Sequence, residues 1–276
     1  MAGTLYLVPT PIGNLGDISP RMADTMARAD FIAAEDTRVS LKLLNHLGLK
    51  KSMISYHRHN TEAGGRAVLE RLLAGESCAL VTDAGTPAIS DPGQELVAQC
   101  AQQGIDVVAI PGPCALVTAL AASGQPTDRF TFEGFLPMNK KNRRAHLDSL
   151  KGEERTMVFY EAPHKLNATI CDLRDAFGEE RPISLCRELS KLHEEVRRTT
   201  LGEAARWYEE NQPKGEFVLV IRGAEPVEEQ EATLEDGLAR VEALRAGGAS
   251  LKDAVKQAAR ELDLSKNELY DLALGR

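Results

Sequence analysis

Asp83, Thr86 and Ser90 place a carboxylate and two hydroxyls within one run, Asp83-Ala84-Gly85-Thr86-Pro87-Ala88-Ile89-Ser90-Asp91-Pro92-Gly93, that is otherwise rich in turn formers. The run lies just behind the apolar Cys78-Ala79-Leu80-Val81, and the crevice beyond the carboxyl end of a strand is where an open α/β sheet binds ligands. Gly85 permits a torsion or a close approach that a side chain would block, leaving the polar groups to face whatever occupies the crevice. The plainer alternative is an ordinary strand-to-helix turn in which Ser90 or Asp91 caps the next helix. Two further runs favour a ligand cleft. Pro9-Thr10-Pro11-Ile12-Gly13-Asn14-Leu15 closes Leu5-Tyr6-Leu7-Val8, and Pro111-Gly112-Pro113-Cys114-Ala115 closes Val107-Val108-Ala109-Ile110. If the three strands are parallel neighbours, their turns share one sheet edge and wall a single cleft.

The elements that must position these turns follow from apolar patterning. Strands are expected at 4–10, 30–34, 53–57, 77–82 and 105–110, alternating with helices, as in a mostly parallel α/β domain spanning 1–125. Ser19-Pro20 reads as an N-cap followed by proline at the first helical position, and Gly48 and Gly104 stand where helices stop. Beyond Pro126 the pattern changes: strands at 129–136, 155–160, 182–188, 195–201 and 215–222, with helices at 140–150, 163–177 and 202–211. The two strands joined by a short link imply a mixed sheet and a second α/β domain over 126–225, with the cleft between the two. From Pro226 an acidic stretch with Glu228, Glu229 and Glu231 reads as a linker. Helices expected at 233–246, 250–262 and 266–274 complete a helix-turn-helix-like module over 226–276. Ser250 caps the second of these helices, Ser265 with Glu268 forms a capping box on the third, and Leu251, Ala254, Val255, Ala258 and Leu262 form an apolar stripe.

Composition narrows the class. A chain of 276 residues, 43% hydrophobic and 27% charged, reads as soluble and globular. No apolar run reaches the ~18–20 residues of a membrane span and no leader pattern precedes the first strand, so a cytoplasmic, non-membrane protein is expected. The five cysteines, at 78, 100, 114, 171 and 186, form no Cys-x-x-Cys pair, which disfavours zinc and disulfides. His57 and His59 in Tyr56-His57-Arg58-His59-Asn60 lack a clustered third ligand, so no metal site is assigned, and a surface or cleft-lining loop is the better reading. The net charge of −8 argues against coating nucleic acid by overall charge, but not against local basic patches.

Neither the Gly-x-Gly-x-x-Gly dinucleotide fingerprint nor the phosphate-binding Gly-x-x-x-x-Gly-Lys-[Ser/Thr] loop is present, which disfavours NAD and ATP. Proline-stiffened turns with few charges suit a ligand read through backbone and shape, such as an adenosine carrying an amino-acid tail; S-adenosylmethionine is one. The Pro-Thr-Pro-Ile-Gly-Asn-Leu opening, Ala34-Glu35-Asp36-Thr37-Arg38, Asp83-Ala84-Gly85-Thr86-Pro87 with Ser90-Asp91-Pro92-Gly93, Pro111-Gly112-Pro113-Cys114-Ala115 and Glu133-Gly134-Phe135-Leu136-Pro137 occur in order along nearly the whole chain. In these motifs it resembles the tetrapyrrole-methylase superfamily, and within it the branch that acts on ribosomal RNA. The resemblance implies a two-domain α/β homodimer that binds S-adenosyl-L-methionine between its domains. It also implies that the protein acts on 16S rRNA or the small ribosomal subunit, methylating the ribose 2′-hydroxyl of a decoding-region cytidine. Carried over by position, the implied cofactor contacts are Ile12, Thr86, Ile89, Cys114, Ala115, Tyr160, Leu185 and Glu216, with Gly85 and Pro87 shaping the loop. For the isoleucine and leucine positions the alternative is a place in the core.

Methyl transfer requires methyl carbon, attacking oxygen and sulfur in line, so positioning outweighs any single base. Glu161 and Lys165, in Tyr160-Glu161-Ala162-Pro163-His164-Lys165, and Arg187-Glu188 are candidates at strand ends facing the cleft. Glu188 or Glu161 is expected to accept the proton or orient the ribose, and Lys165 and Arg187 to hold phosphates. The alternative for each is an ion pair, such as Arg187 with a nearby carboxylate. Lys140, Lys141, Arg143 and Arg144 form the densest basic cluster and are expected to contact RNA phosphates, while Lys252, Lys256 and Arg260 recur on one helix face. The competing functions are a corrin-type tetrapyrrole C-methylase using the same cleft, and a non-catalytic RNA-binding assembly factor.

Overall fold

The computed structural model describes residues 2–225 and 232–275. The acidic stretch read above as a linker, with Glu228, Glu229 and Glu231, lies outside the described residues. Contacts divide the chain into Met1–Ala224, which holds both sheets, and Glu225–Arg276.

Five short strands, β1 (Thr4–Leu7), β2 (Phe31–Ala34), β3 (Ser52–Ser55), β4 (Cys78–Val81) and β5 (Asp106–Ala109), pair in parallel in the order β3-β2-β4-β1-β5. The inner strands are apolar on both faces because helices cover both. Leu5, Phe31, Ala33, Cys78 and Leu80 pack with Val68 and Leu72 of α3 (Thr61–Leu73) and Leu96 and Cys100 of α4 (Gln94–Gln102). Ile32, Ala34, Ala79 and Val81 pack with Met22 and Met26 of α1 (Pro20–Arg28) and Leu44 of α2 (Thr37–His46). Ser19 caps α1 as expected, its hydroxyl accepting from Met22 N at 3.2 Å. The adjacent strands β4 and β1 send their connections in opposite directions, one to β5 and the other to β2. Their carboxyl ends therefore form a topological switch point, and both open into the proline- and glycine-rich turns.

The second sheet contains β6 (Phe130–Phe135), β7 (Thr156–Glu161), β8 (Pro182–Arg187), β9 (Glu195–Thr200) and β10 (Phe217–Ile221) in the order β6-β7-β10-β8-β9. It is mixed: β6 and β7 are parallel and the other pairs antiparallel. Met157, Phe159, Ile183, Leu185 and Leu219 face α6 (Lys140–Ser149), α7 (Leu166–Phe177) and α8 (Leu201–Glu210). Val158, Cys186, Val218 and Val220 point to the other face, where Leu116, Ala119 and Leu120 of α5 (Ala115–Ser123) cover them. The expected helix 163–177 opens as a 3-10 turn, Pro163–Lys165, before α7, a common way for a helix to begin.

Helix α5 belongs to both layers. It follows the last strand of the first sheet, yet its apolar side packs on the second. Its ends are fastened there too: Leu116 N donates to Tyr160 Oη on β7 at 3.0 Å, and Arg198 Nε on β9 donates to Ser123 O at 2.9 Å.

The C-terminal unit holds α9 (Leu234–Ala246), α10 (Leu251–Glu261) and α11 (Lys266–Ala273) around Val241, Ala254, Val255, Ala258 and Leu269. Ser250 caps α10 through Asp253 N at 3.2 Å. Ser265 accepts from Glu268 N at 3.5 Å, without the reciprocal half of the expected box. The reciprocal box is instead on α9, between Thr233 and Asp236.

One position ties fold to cleft. A Cβ on Gly112 would stand 2.9 Å from Pro9 Cβ and 3.0 Å from Met22 Sδ, so only glycine lets the first and third turns approach. Gly112→Val is expected to destabilise by about 1–3 kcal/mol through overpacking, lowering Tm by roughly 2–4 °C per kcal/mol. Gly152→Ala, which meets nothing within 4 Å, serves as control; equal melting temperatures for the two variants would contradict this packing.

Candidate active site

The three turns are bonded to one another. Thr10 N donates to Gly85 O at 2.9 Å and Gly85 N to Thr10 O at 3.0 Å, a two-bond bridge between the first and second turns. Thr86 Oγ1 donates to Pro113 O at 2.9 Å, joining the second turn to the third. Gly85 sits at φ +87°, and a Cβ there would meet Ile12 Cγ2 at an ordinary 3.5 Å. The torsion, not the space, is what demands glycine. Ala88 and Ser90 adopt left-handed backbone at φ +67° and +65°, as do Glu188 and Ser190 at +50° and +67° in the loop after β8. Non-glycine residues held in this region cost of order 1–3 kcal/mol each and concentrate in binding and catalytic loops.

Together these segments wall a cavity of about 340 Å³, in the size range of small-molecule sites. Ile12, Gly85, Thr86 and Ile89 come from the first two turns, Cys114 and Ala115 from the start of α5, and Tyr160 and Glu216 from the second sheet. Eight of the expected cofactor residues thus lie around one space. Pro87 is outside the lining. Leu185 is 1% exposed and packs with the core beneath α7 and α8. Side chains alternate along a strand, so the next residue, Cys186, faces the cleft instead.

The expected catalytic residues separate. Glu161 borders the cavity, but the residue is 3% exposed and its carboxylate is turned to α7, accepting from Thr169 Oγ1 and from Ala162 N at 2.8 Å. Glu188 lines the cavity with Oε1 committed, accepting from Lys191 Nζ at 2.7 Å and Glu216 N at 2.9 Å. The Lys191 hydrogen bond holds the Glu188 carboxyl below its usual range. Lys165 lies outside the lining, its Nζ 2.7 Å from Met138 Sδ. Arg187 is on the Leu185 side of β8 and pairs with Glu195 at 3.2 Å. It lines a second cavity of about 170 Å³ with Trp207 and Lys214. The ion-pair alternative describes Arg187.

Of the basic cluster, Lys140, Lys141 and Arg144 are exposed at the start of α6. Arg143 is not free: its side chain is 11% exposed, pairs with Asp172 and donates to Thr169 Oγ1 at 2.8 Å. The His57–Asn60 turn borders the second loop, where Arg58 donates to Ser90 O. Among the described residues no group of three or more His, Cys, Asp or Glu is arranged to hold a metal.

Three charged groups of the cleft were not among the expected site residues. Glu35, Asp91 and Lys191 all line the cavity. Glu35 and Asp91 stood inside the motifs already singled out, whereas Lys191, in the short β8–β9 link, carried no signal. The capping role considered for Ser90 or Asp91 is not used, since α4 begins after Gly93 without a side-chain cap. The lining is strongly acidic. Lys191 Nζ is spent between Glu188 and Glu216, at 2.7 and 2.8 Å. Burial raises the carboxyls of Glu35 and Asp83, and burial with the charge of Glu35 pushes Asp91 up to about 6. Burial likewise pushes the Tyr160 phenol up to about 12, leaving it neutral and able to donate a hydrogen bond. Phe135, 51% exposed, stands edge-on to Tyr160 with ring centroids 5.7 Å apart. The site combines backbone-rich turns, neutral hydroxyls and carboxylates, a donor and acceptor set suited to a cationic ligand with an adenosine-like body.

Comparison with known proteins identifies the family. Residues 4–205 match the family model described as Tetrapyrrole (Corrin/Porphyrin) Methylases. The chain is 49% identical over 272 residues to the ribosomal RNA small subunit methyltransferase I of Synechocystis sp., covering 99% of this chain and 98% of that protein. It is 48% identical over 273 residues to the protein of the same name from Halalkalibacterium halodurans, covering 98% and 94%. Among solved structures it is similar to the uroporphyrin-III C-methyltransferase of Thermus thermophilus complexed with S-adenosylhomocysteine. That likeness has a TM-score of 0.56 at 17% identity, over 79% of this chain and 97% of that one, and speaks to the fold. The chain belongs to the tetrapyrrole methylase family, in its ribosomal RNA small subunit methyltransferase I group.

Proposed function

We propose that the protein is an S-adenosyl-L-methionine-dependent methyltransferase that 2′-O-methylates the ribose of a cytidine in the decoding region of 16S rRNA. The observation that carries the reading is the convergence of three mutually bonded turns on one acidic cavity. S-adenosylmethionine supplies a methyl group made electrophilic by its positively charged sulfur. The cavity fits such a molecule in its donors and its charge. Gly85 and the turn backbones allow close approach, Tyr160 and Thr86 offer hydroxyls, and Glu35 and Asp83 favour a cation. Ile12, Ile89, Cys114 and Ala115 give the adenosine body apolar contact.

The residues act mainly by orientation. Aligned reactants are worth roughly 7–11 kcal/mol of barrier, and a wall fixed by Thr10–Gly85 and Thr86–Pro113 bonds holds alignment with little loss to motion. Phe135 offers an aromatic face at the rim, a natural partner for an unstacked base. Lys140, Lys141 and Arg144, on the helix that follows β6 and Phe135, supply phosphate contacts that the acidic cavity cannot. The rest of the proposal is a homodimer in the cytoplasm acting on 16S rRNA or the small subunit. Its lobes are 1–125 and 126–225 with the cofactor between them, followed by the module 226–276. No helix of the described residues is long and apolar enough to cross a membrane.

In cells lacking the protein, mass mapping of 16S rRNA should show one methyl missing from a decoding-region cytidine, regained when the protein is restored. An unchanged methylation map would refute the assignment. Thr86→Val keeps the side-chain shape but removes the donor to Pro113 O. Losing a bond worth about 1–1.5 kcal/mol should weaken S-adenosylmethionine binding roughly tenfold by calorimetry; unchanged affinity would count against the tied wall. Replacing Lys140, Lys141 and Arg144 together by alanine should raise KM for small subunits and cut the salt slope of binding by roughly 2–3, with kcat retained. An unaltered slope would move the RNA contact elsewhere.

A further inference from the structure

If a ribose hydroxyl attacks in this cavity, a group of the chain must take its proton, and the carboxylates can be sorted by what they already hold. Glu161 is turned to α7, Glu188 accepts from Lys191 and Glu216 N, and Glu216 is paired with Lys191. Asp83 Oδ1 accepts from Asp36 N at 3.1 Å, and Glu35 lies against Asp83, with burial and the Asp83 charge raising its carboxyl. Asp91 lines the same cavity, is half-buried, and among the described residues its carboxylate accepts no hydrogen bond. Its loop is held nonetheless: Ser90 is left-handed, Arg58 donates to Ser90 O, and Gly93 at φ +146° lies so close to Ala88 that a Cβ would stand 3.0 Å from Ala88 Cβ. A fixed carboxylate with free lone pairs is the arrangement a general base requires.

We propose, resting on the function above, that Asp91 is the proton acceptor for the attacking ribose hydroxyl. As the 2′-oxygen bonds to the methyl carbon, the carbon–sulfur bond breaks with its electron pair passing to sulfur. The hydroxyl proton passes to a carboxylate oxygen of Asp91, from which solvent removes it. The charged and titratable groups facing Asp91 are Glu35 and Asp83 from the first sheet, Arg58 from the neighbouring turn and Tyr160 from the second sheet. Burial and the Glu35 charge together raise the Asp91 carboxyl more than Arg58 lowers it, to about 6, close to the working pH where a base is most effective. The base acts ionised, so the rate rises with pH through that value.

Asp91→Asn tests this on the full-length protein with small subunits lacking the methyl group. Single-turnover rate should fall on the order of 10²–10⁴-fold, the rise in rate through about pH 6 should vanish from the residual activity, and calorimetric affinity for S-adenosylmethionine should stay near that of wild type. A variant as fast as wild type with the same pH profile overturns the inference. So does a loss of cofactor affinity that matches the loss of rate, since Asp91 would then be a binding residue. Wild-type protein that fails to methylate the subunits overturns the proposed function itself, and the two failures are thereby distinguished.

Discussion

The reciprocal backbone bonds between Thr10 and Gly85 are the constraint on which the rest of the site depends. A parallel sheet brings strand ends to a common edge, but it does not by itself fix the turns that leave them. Here the turn after β1 is paired to the turn after β4 as if the sheet ran on by one antiparallel step. Thr86 then fastens the second turn to Pro113, just before α5 begins. Helix α5 carries the constraint onward, because Tyr160 and Arg198 of the second sheet grip its two ends. Wall, helix and opposing sheet are thereby linked in series around the cavity.

Charge is divided in a way that suits a cationic cofactor and a polyanionic substrate. Carboxylates line the cavity, and the single lysine among the lining residues is neutralised by two of them. Exposed cations gather on α6, the helix that follows β6 and Phe135. Under the proposed function, a phosphate backbone would be repelled by the acidic interior and attracted by α6, leaving the target nucleoside to enter. This division is invisible in the net charge of −8, which by itself would discourage any RNA partner.

The sequence was most informative where backbone rules are strict. Five parallel strands, the mixed second sheet and the three helices of the C-terminal unit follow from apolar patterning and caps, with boundaries shifted by a residue or a few. The three turns were legible because proline and glycine announce them. Side-chain direction at strand ends was harder. Leu185 and Arg187 share a face of β8 turned from the cleft, while Cys186 between them is turned toward it, and a strand buried on both faces gives no alternation to reveal which is which. Pairing also hid roles: the engagement of Glu161 with Thr169, and of Arg143 with Asp172, depends on how α7 docks against β7 and α6. Asp91 was in plain view but read as a possible cap, because helix α4 could have begun earlier than Gly93.

The most direct measurement is a crystal structure of the protein grown with S-adenosylhomocysteine. The ligand should occupy the cavity bounded by Ile12, Thr86 and Cys114 on one side and Tyr160 on the other, with the Thr10–Gly85 and Thr86–Pro113 bonds intact. Ligand density at any other surface, or a cavity whose turns have parted to admit it, would contradict the claim that these bonds build the methyl-donor site.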